Sequence, residues 1–423
     1  MTNKNRLLGF IAVAIISSTM SSKAQDWEQW RGTDRDGKVK ATSINLDWNE
    51  KKPPLLWVFR QAGEGYSAPV TVGTTLYGQG SAEGSDFAFA VDTRTGNLKW
   101  KQNLGAEYVQ EDGHGNGPRG SITVDNDKLY LIRGGGQIHC LSAGDGKMIW
   151  QKDFKTDFEG SLQRIWGYSE SPLVDGNHII CSPGGSHGTM AALDKNNGTV
   201  VWRSVEWTDE AAYSSPIIAE VNGVRQYIQQ SANGVAGVSA KDGKLLWKVS
   251  TYRGPMPIIP TPIYHDNTVY VVAGSNIGCN LIRITREGDT FNAEIVYANR
   301  NMVNPHGGVV LLNGHIYGFT DGMGFVCQNF ETGEIVWRER IVDVLKGAVL
   351  AVNDRLLLLN EQTGLLTVIA ASSDGWREFG RMEIPERTNI STTHNMVWTH
   401  PVIANGKLYT RDHDLLFCFD LTR

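Results

Sequence analysis

Short apolar runs alternate with polar residues along most of the chain. One stretch shows the pattern three times in succession, at Asp127–Ile132, Gln137–Leu141 and Lys147–Trp150. Side chains that alternate with a period of two residues are typical of β-strands whose one face is buried. No long amphipathic helical stretch accompanies these runs. The pattern therefore predicts an all-β protein.

Two sequence elements recur at regular intervals. The first is a glycine followed four residues later by an aromatic residue, and six copies keep this spacing: Gly96–Trp100, Gly146–Trp150, Gly198–Trp202, Gly243–Trp247, Gly333–Trp337 and Gly375–Phe379. The second is the start of an apolar run, anchored at Pro69, Ile122, Pro172, Pro216, Pro262, Val309, Val349 and Pro401. The anchors lie about 47 residues apart on average, which is the length of one propeller blade of four strands. We predict an eight-bladed β-propeller; seven blades remain an alternative if the fifth or seventh copy is not a full blade.

The two ends of the repeat array predict how the ring closes. Only 22 residues follow Pro401, enough for about three strands, and this last copy lacks its outer strand. An isolated strand of the missing type, Leu55–Phe59, precedes the first copy. Because an open ring would leave two sheet edges exposed, we expect this N-terminal strand to complete the last blade. The aromatic residue that ends each repeat is expected to fill the gap between neighbouring blades.

The N-terminus has the pattern of a secretory signal. Lys4 and Arg6 precede the apolar run Leu7–Ile16, and small residues lead to a predicted cleavage after Ala24. The apolar run is too short to span a bilayer of about 30 Å, and no cysteine near the cut offers a lipid anchor. The predicted organisation is a signal peptide over 1–24, an N-terminal extension over 25–54 and one propeller domain over 55–423. We expect a periplasmic or secreted protein without a membrane span.

The charge and cysteine content of the chain exclude some classes of binding partner and site. The chain has 40 Lys and Arg against 45 Asp and Glu, with a net charge of −5. No basic face large enough for nucleic acid is expected. The five cysteines form no CxxC or adjacent pair, which argues against a disulfide framework or a zinc site. No metal site and no catalytic residue is predicted.

A candidate ligand site follows from the register of the repeats. Residues three positions before each anchor should ring the mouth of the central channel: Tyr66, Arg119, Ser169, Tyr213, Ile259, His306, Lys346 and Trp398. Neighbouring positions add Trp166, Tyr168, Glu170 and His400. Rings and charges are not needed at such positions for folding, so we predict that this mouth binds a ligand. Three cationic side chains against one carboxylate predict a positive funnel that favours an anion or an acidic loop of a partner.

The repeated phrase with Ala90, Asp92, Gly96 and Trp100 resembles the tryptophan-docking motif of pyrroloquinoline-quinone-type β-propellers. This family includes quinoprotein alcohol dehydrogenases and the propeller subunit of the bacterial outer-membrane β-barrel assembly machinery. The opening Trp27–Gly32 is similar to that of secreted bacterial members. The resemblance covers nearly the whole mature chain and implies the propeller fold, but not a cofactor, because fold does not determine function.

The resemblance also implies where chemistry would occur. Quinoprotein alcohol dehydrogenases hold the quinone beside a tryptophan and a disulfide of adjacent cysteines, with calcium and an aspartate base. Trp166, Trp398 and Arg119 could face such a flat polyanionic ring, but this chain has no adjacent cysteines, and Glu170 alone is a thin donor set for calcium.

Three functional hypotheses follow. The first is an exported propeller that binds a partner protein or a small anionic ligand and has neither a complete catalytic set nor a cofactor. The second is a dehydrogenase of alcohols or sugars that uses pyrroloquinoline quinone with calcium. The third is the propeller subunit of outer-membrane β-barrel assembly, against which the missing lipid-anchor cysteine counts.

Overall fold

The computed structural model describes residues 25–110, 114–163, 166–252 and 257–423. The predicted signal peptide over 1–24 lies outside the described residues. In the described part, the chain forms 33 β-strands and one short helix, and the strands are grouped into eight sheets. The eight sheets are the blades of a ring, as predicted. The fifth and seventh copies both form complete blades, so the seven-blade alternative is wrong.

Two strands precede the first blade: β1 (Lys38–Val39) and β2 (Leu55–Phe59). Blades 1 and 2 consist of β3 (Val70–Val72), β4 (Thr75–Ala82), β5 (Ser85–Asp92), β6 (Leu98–Ala106), β7 (Thr123–Asp125), β8 (Lys128–Ile132), β9 (Gln137–Ser142) and β10 (Met148–Asp153). The helix α1 (Phe154–Phe158) follows β10. Blades 3 and 4 consist of β11 (Leu173–Asp175), β12 (His178–Cys181), β13 (Ala191–Asp194), β14 (Val200–Arg203), β15 (Ile217–Val221), β16 (Val224–Ser231), β17 (Gly234–Ser239) and β18 (Leu245–Val249).

The second half of the ring repeats this order. Blades 5 and 6 consist of β19 (Ile263–His265), β20 (Thr268–Ala273), β21 (Gly278–Glu287), β22 (Thr290–Asn299), β23 (Val309–Leu312), β24 (His315–Thr320), β25 (Gly324–Asn329) and β26 (Ile335–Glu339). Blade 7 consists of β27 (Gly347–Val352), β28 (Arg355–Asn360), β29 (Leu366–Ala370) and β30 (Glu378–Met382), and blade 8 contains β31 (Val402–Ala404), β32 (Lys407–Asp412) and β33 (Leu415–Asp420). No helix in the described part of the chain is long and apolar enough to cross a bilayer.

Each blade is an antiparallel meander whose first strand lies innermost, next to the central channel. Tight turns join the first two strands. In blades 4, 6 and 8 the turn is Asn222-Gly223, Asn313-Gly314 or Asn405-Gly406, with a positive φ at both residues. Asparagine and glycine tolerate this left-handed conformation, which matches the twist of a two-residue hairpin.

The repeated aromatic residue packs onto the neighbouring blade, as Trp100 shows. Trp100 ends blade 1, and its indole Nε1 donates to the carbonyl of Ala143 in blade 2 at 3.1 Å. The ring lies against Gly146, which has φ +74°, and a Cβ there would come within 2.6 Å of the indole. Only glycine satisfies both the conformation and the space. The predicted packing of the aromatic residue between blades is therefore confirmed.

The N-terminal strand closes the ring, as predicted. Strand β2 pairs antiparallel with β33, with Trp57 opposite Cys418. Trp57 then docks onto blade 1 through a hydrogen bond from Nε1 to the Thr93 carbonyl. At the junction of blades 7 and 8 the docking residue is Phe379, whose side chain has no N–H to donate. There the equivalent acceptor, the Leu421 carbonyl, accepts from the backbone N–H of Asn45 in the N-terminal extension, at 2.6 Å.

The cysteines are packing residues. All five are buried and free. Cys140 and Cys327 lie opposite Trp150 and Trp337, in the same register as Cys418 opposite the closing tryptophan. Burial raises the pKa of the Cys140 thiol to about 11, so it stays protonated at neutral pH and reacts slowly.

Candidate functional site

A cavity of about 330 Å³ lies at the mouth of the central channel. The innermost strand of every blade begins at this level, so each blade contributes the residue three positions before its anchor. All eight rim positions expected from the sequence line the cavity: Tyr66, Arg119, Ser169, Tyr213, Ile259, His306, Lys346 and Trp398. Trp166 and His400 line it as well. We call this cavity the well.

Tyr168 and Glu170 do not line the well, although the sequence placed them at the mouth. The hydroxyl of Tyr168 donates to the Pro183 carbonyl at 2.9 Å, and Glu170 accepts from the Ser182 N–H at 2.6 Å. In an extended chain, successive side chains point to opposite sides. Ser169 therefore faces the well, while both its neighbours point into the protein. Burial raises the pKa of Glu170 to about 7. Both residues are therefore excluded from the candidate site.

Aromatic rings form a continuous wall around part of the well. Trp398 has its ring centroid 5.1 Å from Tyr66 and 6.3 Å from His114, with which it is stacked. His114 is 5.3 Å from Trp166, which in turn is 5.5 Å from Tyr213. These five rings come from the loops that enter blades 1, 2, 3, 4 and 8. Such a wall can pack against a flat ligand by offset or edge contacts.

His114 was not predicted from the sequence. It belongs to the connection between blades 1 and 2, five residues before the rim residue Arg119, so the register of the rim positions did not place it. In the structure its carbonyl accepts from the hydroxyl of Tyr66 at 2.8 Å, and its Nε2 lies 3.1 Å from Nε2 of His394.

A charged cluster occupies the side of the well next to blades 6 and 7. Lys346 Nζ lies 3.3 Å from Asp321 Oδ1 and 3.9 Å from Glu361 Oε1. The other oxygen of Glu361 is 2.6 Å from His306 Nε2 and accepts a hydrogen bond from Trp398 Nε1 at 3.0 Å. Glu361 itself is almost fully buried.

Neither Asp321 nor Glu361 was predicted. Each follows the second strand of its blade, β24 or β28, which runs back toward the mouth antiparallel to the innermost strand. That return places its last residues at the same level as the rim. The signal was available in the sequence, as a second register position at the end of each second strand.

The charge balance of the mouth differs from the sequence prediction. Burial raises the pKa of Glu361, but its contacts with His306, Lys346 and Trp398 outweigh burial and hold the pKa below its usual value. The carboxylate is therefore ionised at neutral pH, and with Asp321 it opposes the positive charge of Lys346. Arg119 has another environment: its guanidinium lies 4.9 Å from the centroid of the Tyr66 ring and donates to the Gly115 carbonyl at 3.1 Å.

The base of the well is formed in part by the N-terminal segment. Trp30 lines the cavity, and its Nε1 donates to Thr261 Oγ1 at 2.8 Å. Its ring packs edge-on against His400 at 4.7 Å. Burial and the charge of Arg31 lower the pKa of His400 to about 3, and burial raises that of Tyr66 to about 12. Both of these side chains are uncharged at neutral pH.

The well does not fit a calcium-assisted quinone. Within the described ranges, no group of three or more histidine, cysteine, aspartate or glutamate side chains is placed to hold a metal ion. Asp321 and Glu361 are engaged by Lys346, His306 and Trp398, whereas calcium takes six to eight oxygen ligands. The cysteines are buried and unpaired. The aromatic wall suits a flat ring, but the donors for the metal are lacking among the described residues.

Two sequence comparisons bear on the family. A family model described as outer membrane protein assembly factor BamB matches residues 85–318. A relative described as tetrathionate hydrolase, from Acidithiobacillus ferrooxidans, is 24% identical over 250 residues, which cover 54% of this chain and 45% of that protein. The chain thus spans about half the length of that relative.

Solved structures share the architecture. A europium-containing methanol dehydrogenase aligns with a TM-score of 0.67 at 12% identity, covering 91% of this chain and 89% of that one. Quinohemoprotein alcohol dehydrogenase from Comamonas testosteroni gives 0.66 at 13%, covering 94% and 80%. BamB from Moraxella catarrhalis gives 0.57 at 14%, covering 87% and 100%. At these identities the structural likeness shows the fold alone. Because the family model spans more than half of the chain, and the docking motif and the fold agree with it, the protein belongs to the family of pyrroloquinoline-quinone-type repeat propellers represented by BamB.

Proposed function

We propose that this protein is an exported binding protein whose well takes a small ligand that has a flat ring and an anionic group. The observation that carries the proposal is the well itself. Its volume of about 330 Å³ falls in the range of ligand pockets, and its wall combines five rings with a few polar groups. Ligand sites typically combine an apolar wall with a few polar groups that orient the ligand.

The charges suggest how the ligand is oriented. Lys346 is opposed by Asp321 and Glu361, so it adds little net positive charge to its side of the well. Arg119 lies beside the aromatic wall, over Tyr66. A flat anion would therefore pack its ring against that wall and direct its negative group toward Arg119. Low dielectric in a concave site strengthens such an attraction.

A binding role is favoured over catalysis by the chemistry of the lining. The best acid–base pair in the well is His306 with Glu361, but no cysteine reaches it and the described residues offer no metal cluster. Proton transfer alone, without a nucleophile or Lewis acid, is an incomplete set for the oxidations or hydrolyses named for the relatives.

Export is part of the proposal. The segment 1–24 has the layout of a cleaved signal, which would place the mature protein in the periplasm or outside the cell. Edman sequencing of protein purified from the periplasmic fraction or the medium should begin at Gln25. Recovery of the uncleaved chain from the cytoplasm would contradict export without affecting the proposed site.

The binding proposal is tested with benzoate, a flat monoanion, titrated by calorimetry into the purified mature protein. Arg119→Ala and Trp398→Ala should each weaken binding about tenfold, equivalent to about 1.4 kcal/mol. Affinity should also fall as salt is raised, because salt screens the attraction. Arg94→Ala, an exposed arginine in the docking turn of blade 1, is the matched control and should bind as wild type. Equal affinity in all four proteins, or none in any, would overturn the proposal.

A second candidate is supported by the family comparison. The matching model is described as an outer membrane assembly factor, and the whole of the BamB structure from Moraxella catarrhalis is covered by this fold. If the well instead takes a loop of a protein partner, affinity purification from the source bacterium should recover outer-membrane assembly proteins. Trp398→Ala should then lose them while Arg94→Ala keeps them.

The quinone-dependent dehydrogenase is the least supported of the three hypotheses, because the donor set for calcium is lacking. Incubation with pyrroloquinoline quinone and calcium, followed by an assay of alcohol-dependent reduction of an artificial acceptor, decides it. A rate above that of the quinone alone would overturn the binding role in favour of an enzyme.

A further inference from the structure

The innermost strand of each blade exposes one edge of backbone N–H and C=O groups to the central channel. Such edges need partners, because unpaired buried backbone groups are costly. Below the well, the partners come from the N-terminal segment Asp26–Val39. The amides of Thr71 and Val124 donate to the carbonyls of Trp27 and Glu28, at 2.9 and 2.8 Å.

The same segment pairs with the other side of the ring. Its residues Lys38–Val39 form β1, which runs parallel to β27 of blade 7. The amides of Ala351 and Asn353 donate to the carbonyls of Gly37 and Val39, at 2.9 and 3.0 Å. The register of the blades shows how deep the N-terminal segment lies in the channel. The blade residues that donate to it lie two to four residues beyond the anchors, far below the rim.

Two arginines extend from the segment between the blades. Arg31 Nη2 donates to the Val309 carbonyl at 2.6 Å in blade 6, and Arg35 Nη2 donates to the Ser171 carbonyl at 2.7 Å in blade 3. Burial lowers the pKa of these guanidinium groups to about 10 and about 9, so both stay charged at neutral pH. Hydrogen bonds from a charged donor are stronger than those between neutral groups.

Trp30 is the part of the segment that reaches the well. Its partner Thr261 lies only two residues beyond the rim residue Ile259, which is at most about 7 Å along an extended chain. Below it the packing is close: a void of about 10 Å³ is found between Trp27, Trp30 and blades 7 and 8. The channel is therefore filled beneath the indole.

We propose that Asp26–Val39 is a built-in plug of the central channel, and that Trp30 is the floor of the well and sets the length of ligand it accepts. The second half of this proposal rests on the proposed binding function. The first half does not, because it depends only on contacts within the chain. The ligand chemistry it implies is a flat anion of about one aromatic ring in length, since a longer rod would meet the indole.

The floor is tested with two carboxylates of different length, benzoate and biphenyl-4-carboxylate. Wild type should prefer benzoate. Trp30→Ala deepens the well and should raise the affinity for biphenyl-4-carboxylate relative to that for benzoate about tenfold. Trp376→Ala removes a half-buried tryptophan that packs against Phe325 and does not line the well, so it should leave both affinities unchanged. The same length preference in Trp30→Ala as in wild type would overturn the role of Trp30.

The plug is tested without any ligand. A protease site introduced at the exposed residues Thr42–Ser43 allows the folded full chain to be cut after purification. The released segment should stay bound through gel filtration, and the amides of Thr71, Val124 and Ala351 should remain protected from hydrogen exchange.

The matched variant carries Arg31→Gln and Arg35→Gln in the cuttable chain. It should lose the segment after the cut, and the same amides should then exchange. Loss of the segment from the wild-type cut protein without any change in exchange would overturn the plug. If neither carboxylate binds wild type but the segment stays bound, the proposed function and the role of Trp30 fail while the plug stands.

Discussion

Two sets of positions occur once in every blade, and they differ in a way that separates folding from function. The docking position in the outer strand repeats the same kind of residue, because it packs between neighbouring blades: Trp100 and Trp150 each pack against a glycine of the next blade and donate to one of its backbone carbonyls. The rim position three residues before each anchor varies from Tyr66 to Arg119 to Lys346. Nothing in the ring constrains a side chain that faces an open cavity, so variation inside a strict repeat points to a site.

The junction of blades 7 and 8 shows what happens when the docking rule is broken. The side chain of Phe379 cannot donate a hydrogen bond, and the backbone N–H of Asn45 donates to the Leu421 carbonyl instead. The N-terminal extension thus supplies the donor for a carbonyl that the docking ring at this junction cannot bond. The N-terminal extension therefore contacts both the innermost strands at the channel and the docking junction farther out in the ring.

The largest expected effect lies at the closing strand. Trp57 is almost fully buried, and Trp57→Ala should cost about 3–5 kcal/mol of unfolding free energy because it leaves a cavity between the last and first blades. Leu55→Ala, at a residue 42% exposed on the same strand, should cost less than about 1 kcal/mol. Urea denaturation measures both.

Deleting residues 53–60 tests the closing strand as a whole. The deletion should expose the edge of β33 and cause aggregation, which gel filtration detects. A deleted protein that stays monomeric with an unchanged melting temperature would show that β2 does not close the ring.

The next largest effect tests the docking contact itself. Gly146→Ala meets both a left-handed conformation and the Trp100 ring, and should cost about 3 kcal/mol. Gly176 has φ +59° but open space around it, so Gly176→Ala should cost only about 1 kcal/mol for the backbone conformation. Thermal unfolding of the two variants gives the difference. Equal losses would mean that the ring contributes nothing beyond the turn.

A smaller effect concerns pH, at two buried groups that belong to neither the docking contacts nor the rim. Burial lowers the pKa of His139 to about 3. Between pH about 6.5 and 3 the unfolded chain binds a proton that the folded one does not, so this group makes stability fall as pH falls. His139→Phe should therefore lose less stability than wild type on acidification, as measured by urea titrations at several pH values.

Glu170 affects the pH dependence of stability in the opposite direction and serves as the matched comparison. Because burial raises its pKa to about 7, the folded protein holds a proton between pH 4.5 and 7 that the unfolded chain releases. Its contribution to stability is lost as pH rises through that window, and Glu170→Gln should remove this loss. If the unfolding free energy of wild type and of both variants depended on pH in the same way, the buried environments assigned to His139 and Glu170 would be contradicted.

The smallest effect is expected at the rim. Lys346 and Asp321 are both partly exposed, so Lys346→Ala should change the unfolding free energy by less than about 0.5 kcal/mol. Because two carboxylates oppose Lys346, its loss should weaken benzoate binding only about twofold, against about tenfold for Arg119→Ala. Calorimetry compares the two. A larger loss of affinity for Lys346→Ala than for Arg119→Ala would indicate that the anionic group binds on the Lys346 side of the well.

Most of the ring was predictable from the sequence, because each blade is built from local patterns that repeat. The closing strand around Trp57 followed from a missing strand at one end and an extra strand at the other. The rim residues also followed from register, since each innermost strand starts at the same level. Tyr168 and Glu170 were expected at the mouth, but alternation along an extended chain points their side chains away from the cavity that Ser169 faces.

The sequence by itself determined the propeller architecture, its closing strand and the aromatic position between blades, since these depend on spacings that the chain repeats; the structure decided for eight blades over seven. Only the tertiary structure decided what surrounds the well. Asp321 and Glu361 reach Lys346 from different strands, and Trp30 reaches Thr261 from more than two hundred residues away. Asp321 and Glu361 share a register position at the end of a second strand, but their contacts with Lys346 do not recur from blade to blade. The contacts around the well arise only when the ring closes and brings one segment of the chain against seven blades. The counter-charges and the floor of the well are therefore properties of the folded ring.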